Sequence, residues 1–253
     1  MPWAKFLMFA SPYVPETIVP VRGIASCKSV LVSTHSKEYA TTNNQYKKKR
    51  NIYNQMAQTL MGYDHTGSIQ RFDEDGDIIG GGTKLDNVFF LNFSRLLSKD
   101  EIKKQTFELE LGVNSDYDTA GQVFSKRIKI TDLSGSDGYF VNSPVGEYGV
   151  LYATQSFNTA VPALAANQYY AVGLLFYQAG VAVLSGSIFH DAANGGILNS
   201  TYNDSTKLLL TSGKHGFDVV TGSTIEEFAD SIRTRMYNLA FNNTVELNSS
   251  VYF

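Results

Sequence analysis

The run Asp73-Glu74-Asp75-Gly76-Asp77 sets three aspartates two residues apart. Carboxylates at alternate positions are the means by which many loops ligate a hard divalent cation. In an EF-hand loop, however, the glycine is sixth and a glutamate closes the site at the twelfth position. Here Gly76 comes only three residues after Asp73, and no glutamate closes the loop. The run therefore reads as a solvated turn, and no metal ligand is assigned. Gly80-Gly81-Gly82 followed by Thr83-Lys84 has phosphate-loop residue types without the G-x-x-x-x-G-K-[ST] spacing, so it too reads as a turn. The basic run Lys47-Lys48-Lys49-Arg50 could meet an acidic partner. Four successive helical residues point in four directions, so it reads first as a solvated helix start. The four histidines, His35, His65, His190 and His215, have no mutual spacing that suits a metal, and none lies near Cys27 in sequence. Gly135-Ser136-Asp137-Gly138 fails the spacing of a nucleophile elbow. No catalytic, cofactor-binding or metal residue is assigned, no cofactor is expected, and the chain reads as not an enzyme.

Composition points elsewhere. Charged residues make up 18% of the 253 positions, below the usual quarter, while 15 Tyr and 16 Phe accompany one Trp. Such rings favour strands and protein–protein contact surfaces. A net charge of -3 argues against a general nucleic-acid binder. The single Cys27 excludes an intrachain disulfide. Phe6 to Ala10 is apolar but too short to span a membrane, and no other run reaches that length.

The elements that would position these residues are mostly short strands. Pro12, Pro15 and Pro20 keep the start of the chain extended, so residues 1–41 read as an extended arm with one short strand at Ser29–Thr34. Residues 42–253 read as a β-rich body. Residues 42–61 read as a helix with Tyr46, Tyr53, Met56, Ala57 and Leu60 on one face and Gly62 as its stop. Ser98 and Glu101 form a capping box that predicts a short helix over Lys99–Lys104. Strands are predicted at Val88–Phe93, Phe107–Leu111, Arg127–Leu133 and Tyr148–Thr154. Glu108 and Glu110 would face solvent or a partner. The strongest hairpin joins Tyr169–Tyr177 to Val181–Leu184 through Gln178-Ala179-Gly180. Val172, Leu174, Phe176 and Val183 are its expected core. A further hairpin is read at Lys207–Thr211 and Phe217–Val220. Thr224–Leu239 reads as a second helix, capped by Ser223 and Glu226, with Ile225, Phe228, Ile232, Met236 and Leu239 as its stripe. The fold class expected is β-rich α+β, with antiparallel sheets in a sandwich-like arrangement and two main helices.

Three stretches carry a resemblance in order along the chain: YKKKRNIYNQMAQTLMGYDHTGSIQRFDEDGD (46–77), VFFLNFSRLLSKDEIKKQTFELELG (88–112), and SPVGEYGVLYATQ (143–155) continuing into YYAVGLLFYQAGVAVLSGSIF (169–189) and SIRTRMYNLAFNNTVELNSSVYF (231–253). Together they resemble virion structural proteins of contractile-tailed phages, particularly those of marine cyanobacteria. The resemblance implies a structural subunit of the tail baseplate or a fibre-attachment region, with head, neck or collar as the alternative placement. It implies other virion proteins and further copies of the chain as partners, assembly in the host cytoplasm, and no catalytic residues. It also implies that a β-rich segment follows the stretch ending at Phe253, so the body is expected either to continue or to have its end pinned in an interface. A receptor- or glycan-binding β module, allowed by the many Tyr and Asn residues, and a hydrolase without a recognisable motif are the competing classes.

The expected interface residues are Trp3, Phe6, Leu7 and Phe9 in the arm and Val251, Tyr252 and Phe253 at the far end. Neither apolar group can be buried by its own local structure. An extended apolar arm can instead add a strand to a neighbour's sheet. No membrane and no specific nucleic acid is expected as a partner.

Overall fold

The structure is a computed structural model that describes residues 30–34, 44–77, 82–112, 127–156, 170–186, 225, 229, 232 and 236–245. In chain order its elements are β1 (Val30–Thr34), α1 (Asn44–Leu60), β2 (Asn87–Asn92), β3 (Glu101–Ile102), β4 (Glu108–Gly112), β5 (Arg127–Thr131), β6 (Phe140–Ser143), β7 (Gly146–Ser156), β8 (Tyr170–Phe176), β9 (Val181–Ser185), β10 (Met236–Ala240) and β11 (Asn243–Thr244). Nine strands form one antiparallel sheet in the order β1-β2-β9-β8-β7-β5-β4-β10, with β6 added alongside β7. The short strands β11 and β3 pair separately.

The β8–β9 hairpin lies at the middle of this sheet, pairing Leu174 with Val183 and Phe176 with Val181. Both strands are apolar at successive positions because both faces of the sheet are covered there. The four residues expected in the core, Val172, Leu174, Phe176 and Val183, are all buried. A β-bulge where β8 meets β7 sets both Val172 and Gly173 against Leu151. The bulge shifts the alternation, so Val172 and Leu175 share one apolar cluster while Leu174 and Phe176 join the other.

The first cluster draws on β2, β9, β8, β7, β5, β4 and β10. Phe93 follows β2 and Phe107 precedes β4, five strand positions away in the sheet order. Their rings nevertheless lie 5.8 Å apart, and Phe241 stacks on Phe107 at 6.4 Å. Five flat strand spacings would separate them by about 24 Å. The sheet therefore curls, and the three rings close one end of its concave side. The second cluster fills the opposite face, where Tyr53, Ala57 and Leu60 of α1 join Phe72 and Leu85 over β2, β9, β8 and β7.

Helix α1 buries Tyr53, Ala57 and Leu60 of the expected face and half-buries Met56, the side chain of Tyr46 lying outside what is described, and it brings one correction. Lys49, read as part of a solvated helix start, is 1% exposed and lies one turn before Tyr53 on the buried side. Lys47 and Lys48 are exposed as expected. The helix ends as predicted at Gly62, whose φ is +78°. Met61 and Gly62 both donate to the Ala57 carbonyl, and the Ser143 hydroxyl donates to the free carbonyl of Leu60.

Two helical expectations fail. Lys99–Lys104 is not a helix. Glu101 and Ile102 pair with β11, and Ile102 donates its N–H to the Tyr177 carbonyl at 3.1 Å. So short a helix is marginal alone, and long-range backbone partners with burial of Ile102 prevail. The second main helix is not met either, leaving one main helix among the described residues. Of Thr224–Leu239, Ile225, Ala229 and Ile232 have helical backbone, but Met236–Ala240 is strand β10, paired with β4. A bulge between Met236 and Asn238 lets Met236 and Leu239, three residues apart, both enter the first cluster. That spacing satisfies a helix equally well, so periodicity alone did not separate the two. The expected hairpin at 207–220 lies outside the described residues. Strand β1 pairs with β2 as an outer strand of the main sheet.

Candidate functional site

The acidic run is held in place by its neighbours in sequence. Phe72 inserts its ring among Tyr53, Phe90 and Phe176, with centroids 5.5, 5.6 and 6.3 Å away. Leu85 is buried in the same cluster, and its N–H donates to the Phe72 carbonyl at 2.9 Å. These two apolar residues pin the stems of a loop. Between them Asp73 and Lys84 form a backbone bridge, and Glu74 donates to the Thr83 carbonyl at 3.0 Å. The Tyr53 hydroxyl steadies both stems by donating to the Leu85 carbonyl and accepting from the Phe72 N–H.

Asp73 thereby becomes a fully buried carboxylate, which corrects the reading of this run as a solvated turn. Asp75 is exposed and Asp77 half-buried. One carboxylate oxygen from each of the three lies within 4.8 Å of the others. Lys84 pairs with Oδ2 of Asp73. Oδ1 of Asp73 has no hydrogen-bond partner among the described residues. Gly82, at φ +74°, lies beside this carboxylate, and a Cβ there would come 3.1 Å from Oδ1.

The loop leans on β6 and β7. Gly76 has φ +81° and sits where a Cβ would meet the Phe140 ring at 2.6 Å. The Tyr148 hydroxyl donates to the Gly76 carbonyl at 2.9 Å. Burial, together with the charges of Asp77 and Asp73, pushes this hydroxyl up to about 12. Burial likewise raises the Glu74 carboxyl, helped by Asp73 and Asp75. Four acidic side chains, Asp73, Glu74, Asp75 and Asp77, thus gather on this loop.

A second buried carboxylate was not visible in the sequence. Asp132 follows the last residue of β5 and accepts the N–H groups of Gln105 at 2.7 Å and Phe107 at 3.0 Å. Gln105 is a non-glycine residue at φ +62°, and this acceptor holds it there. An aspartate near the end of the strand predicted at Arg127–Leu133 was the available hint.

The glutamates expected to face solvent or a partner meet the next strand instead. Glu108 pairs with Lys129 at 2.6 Å and Glu110 with Arg127 at 3.1 Å. The Arg127 guanidinium also covers the Tyr237 ring at 3.9 Å. His65 is exposed; His35, His190, His215 and Cys27 lie outside the described residues. So do all the expected interface residues, Trp3, Phe6, Leu7, Phe9, Val251, Tyr252 and Phe253. Among the described residues no helix is long and apolar enough to cross a membrane.

Comparison of the chain with family models, with curated proteins and with solved structures finds no match.

Proposed function

We propose that this chain is a structural subunit of a tailed-phage virion, placed in the tail baseplate or a fibre-attachment region and acting through protein–protein interfaces. The observation that carries this reading is the open sheet. Among the described residues, the outer edge of β10 pairs with no strand, and β1 stands at the opposite end. An unpaired edge offers a row of backbone donors and acceptors to an added strand. Val141, 70% exposed on β6, adds an apolar contact point beside such an edge.

In this role the body supplies edges and the apolar residues Trp3, Phe6, Leu7 and Phe9 supply a segment that a neighbouring copy or another virion protein can accept. Deletion of residues 1–24 tests the arrangement. The shortened chain is expected to keep the circular dichroism of the full chain and to be missing from purified particles, as measured by mass spectrometry. Normal incorporation would remove the arm from the mechanism. Absence of the full-length chain from particles would overturn the virion assignment itself.

A further inference from the structure

Three carboxylates in a turn are by themselves an ordinary surface feature. What distinguishes this loop is Asp73. Its side chain is fully buried, one oxygen is taken by Lys84, and the other has no donor among the described residues. Leaving a charged oxygen buried without a partner is costly. Folded proteins meet that cost with a hydrogen bond, a water or an ion. The same side chain shares a space with the oxygens of Asp75 and Asp77, all within 4.8 Å.

We propose that Asp73, Asp75 and Asp77 bind one divalent cation of the calcium class. Oxygens bound to a single Ca²⁺ at about 2.3–2.6 Å can stand up to about 5 Å apart, and an irregular set of carboxylates completed by water suits that ion better than Mg²⁺. Asp73 is the fixed ligand, since Phe72 and Leu85 pin both stems of the loop. Asp75 and Asp77 are the accessible ones. The loop carries four acidic side chains between positions 73 and 77 against the single Lys84, so the lysine leaves it negative. With three carboxylates, one of them shared with Lys84, the affinity falls in the weak range of about 10⁻⁴–10⁻³ M. The bound ion would tie the loop to the β6–β7 corner through Asp77 and the Gly76–Tyr148 contact. This site does not depend on the assembly role.

The test uses the full chain and CaCl₂, MgCl₂ or NaCl at matched ionic strength. About 10 mM Ca²⁺ is expected to raise the unfolding temperature by roughly 3–10 °C, with Mg²⁺ giving less. The double substitution Asp75→Asn and Asp77→Asn changes only side chains outside the core and is expected to abolish the shift. As a direct probe, Tb³⁺ should show luminescence sensitised by Tyr148 and Tyr53, weakened on Tyr148→Phe and displaced by Ca²⁺. No Ca²⁺ shift in the wild type, or an equal shift in the doubly substituted chain, would overturn the site.

Discussion

Asp73 and Asp132 are both buried aspartates at the ends of strand-like segments, yet their surroundings differ. Asp132 has a backbone amide on each oxygen, and burial holds its carboxyl above the ordinary value. Its donors belong to the fixed chain around Gln105 and Phe107. Asp73 has one lysine on one oxygen, no partner for the other among the described residues, and two more carboxylates close by. Asp132 is a closed corner that sets the approach to β4. Asp73 is half of a site. A buried charge becomes a functional candidate when the fold leaves part of its hydrogen-bonding capacity unmet.

The largest expected effect comes from the sheet beneath the Asp73 loop. Phe176 stacks on Tyr148 at 5.0 Å and meets Phe72 edge-on, so it supports both walls of that loop. Phe176→Ala should cost about 3–5 kcal/mol in denaturant unfolding. A cost under about 1 kcal/mol would mean that the central hairpin is not the core. Next comes the closed corner. Asp132→Ala leaves two backbone N–H groups without their acceptor and should cost roughly 2–4 kcal/mol, a loss that Ca²⁺ does not recover, since the ion should stabilise this variant by no more than it stabilises the wild type. The open site should lose less. Lys84→Gln keeps a donor near Asp73 but removes its charge, at about 1–2 kcal/mol without Ca²⁺. Added Ca²⁺ should recover most of this loss, because the ion no longer competes with the lysine. If Lys84→Gln and Asp132→Ala behave alike toward Ca²⁺, the distinction between the two carboxylates fails.

Much of the strand framework was legible from local pattern. Apolar runs of strand length at 88–93, 148–154, 169–177 and 181–184 each became a strand, and Gly62 ended α1. Period and turn chemistry act over a few residues, so they can be read without a fold. The failures at Lys99–Lys104 and Met236–Ala240 share one cause. Each segment satisfied a helical signal locally, yet its backbone found partners far away in sequence, at β11 and at β4. Local propensity is weak against a ladder of hydrogen bonds combined with burial.

For the candidate site, residue types and sequence alone fixed which carboxylates lie two apart and which glycines permit a tight turn. Whether Asp73 would be wet or dry was decided by Phe72 and Leu85 docking on the far face of the sheet, which carries the intervening stem inward. Lys84 reached it from eleven residues away through the same bridge. Burial, and with it the unmet oxygen, depends on what packs above a residue, and that is a property of the assembled layers and not of the run Asp73–Asp77.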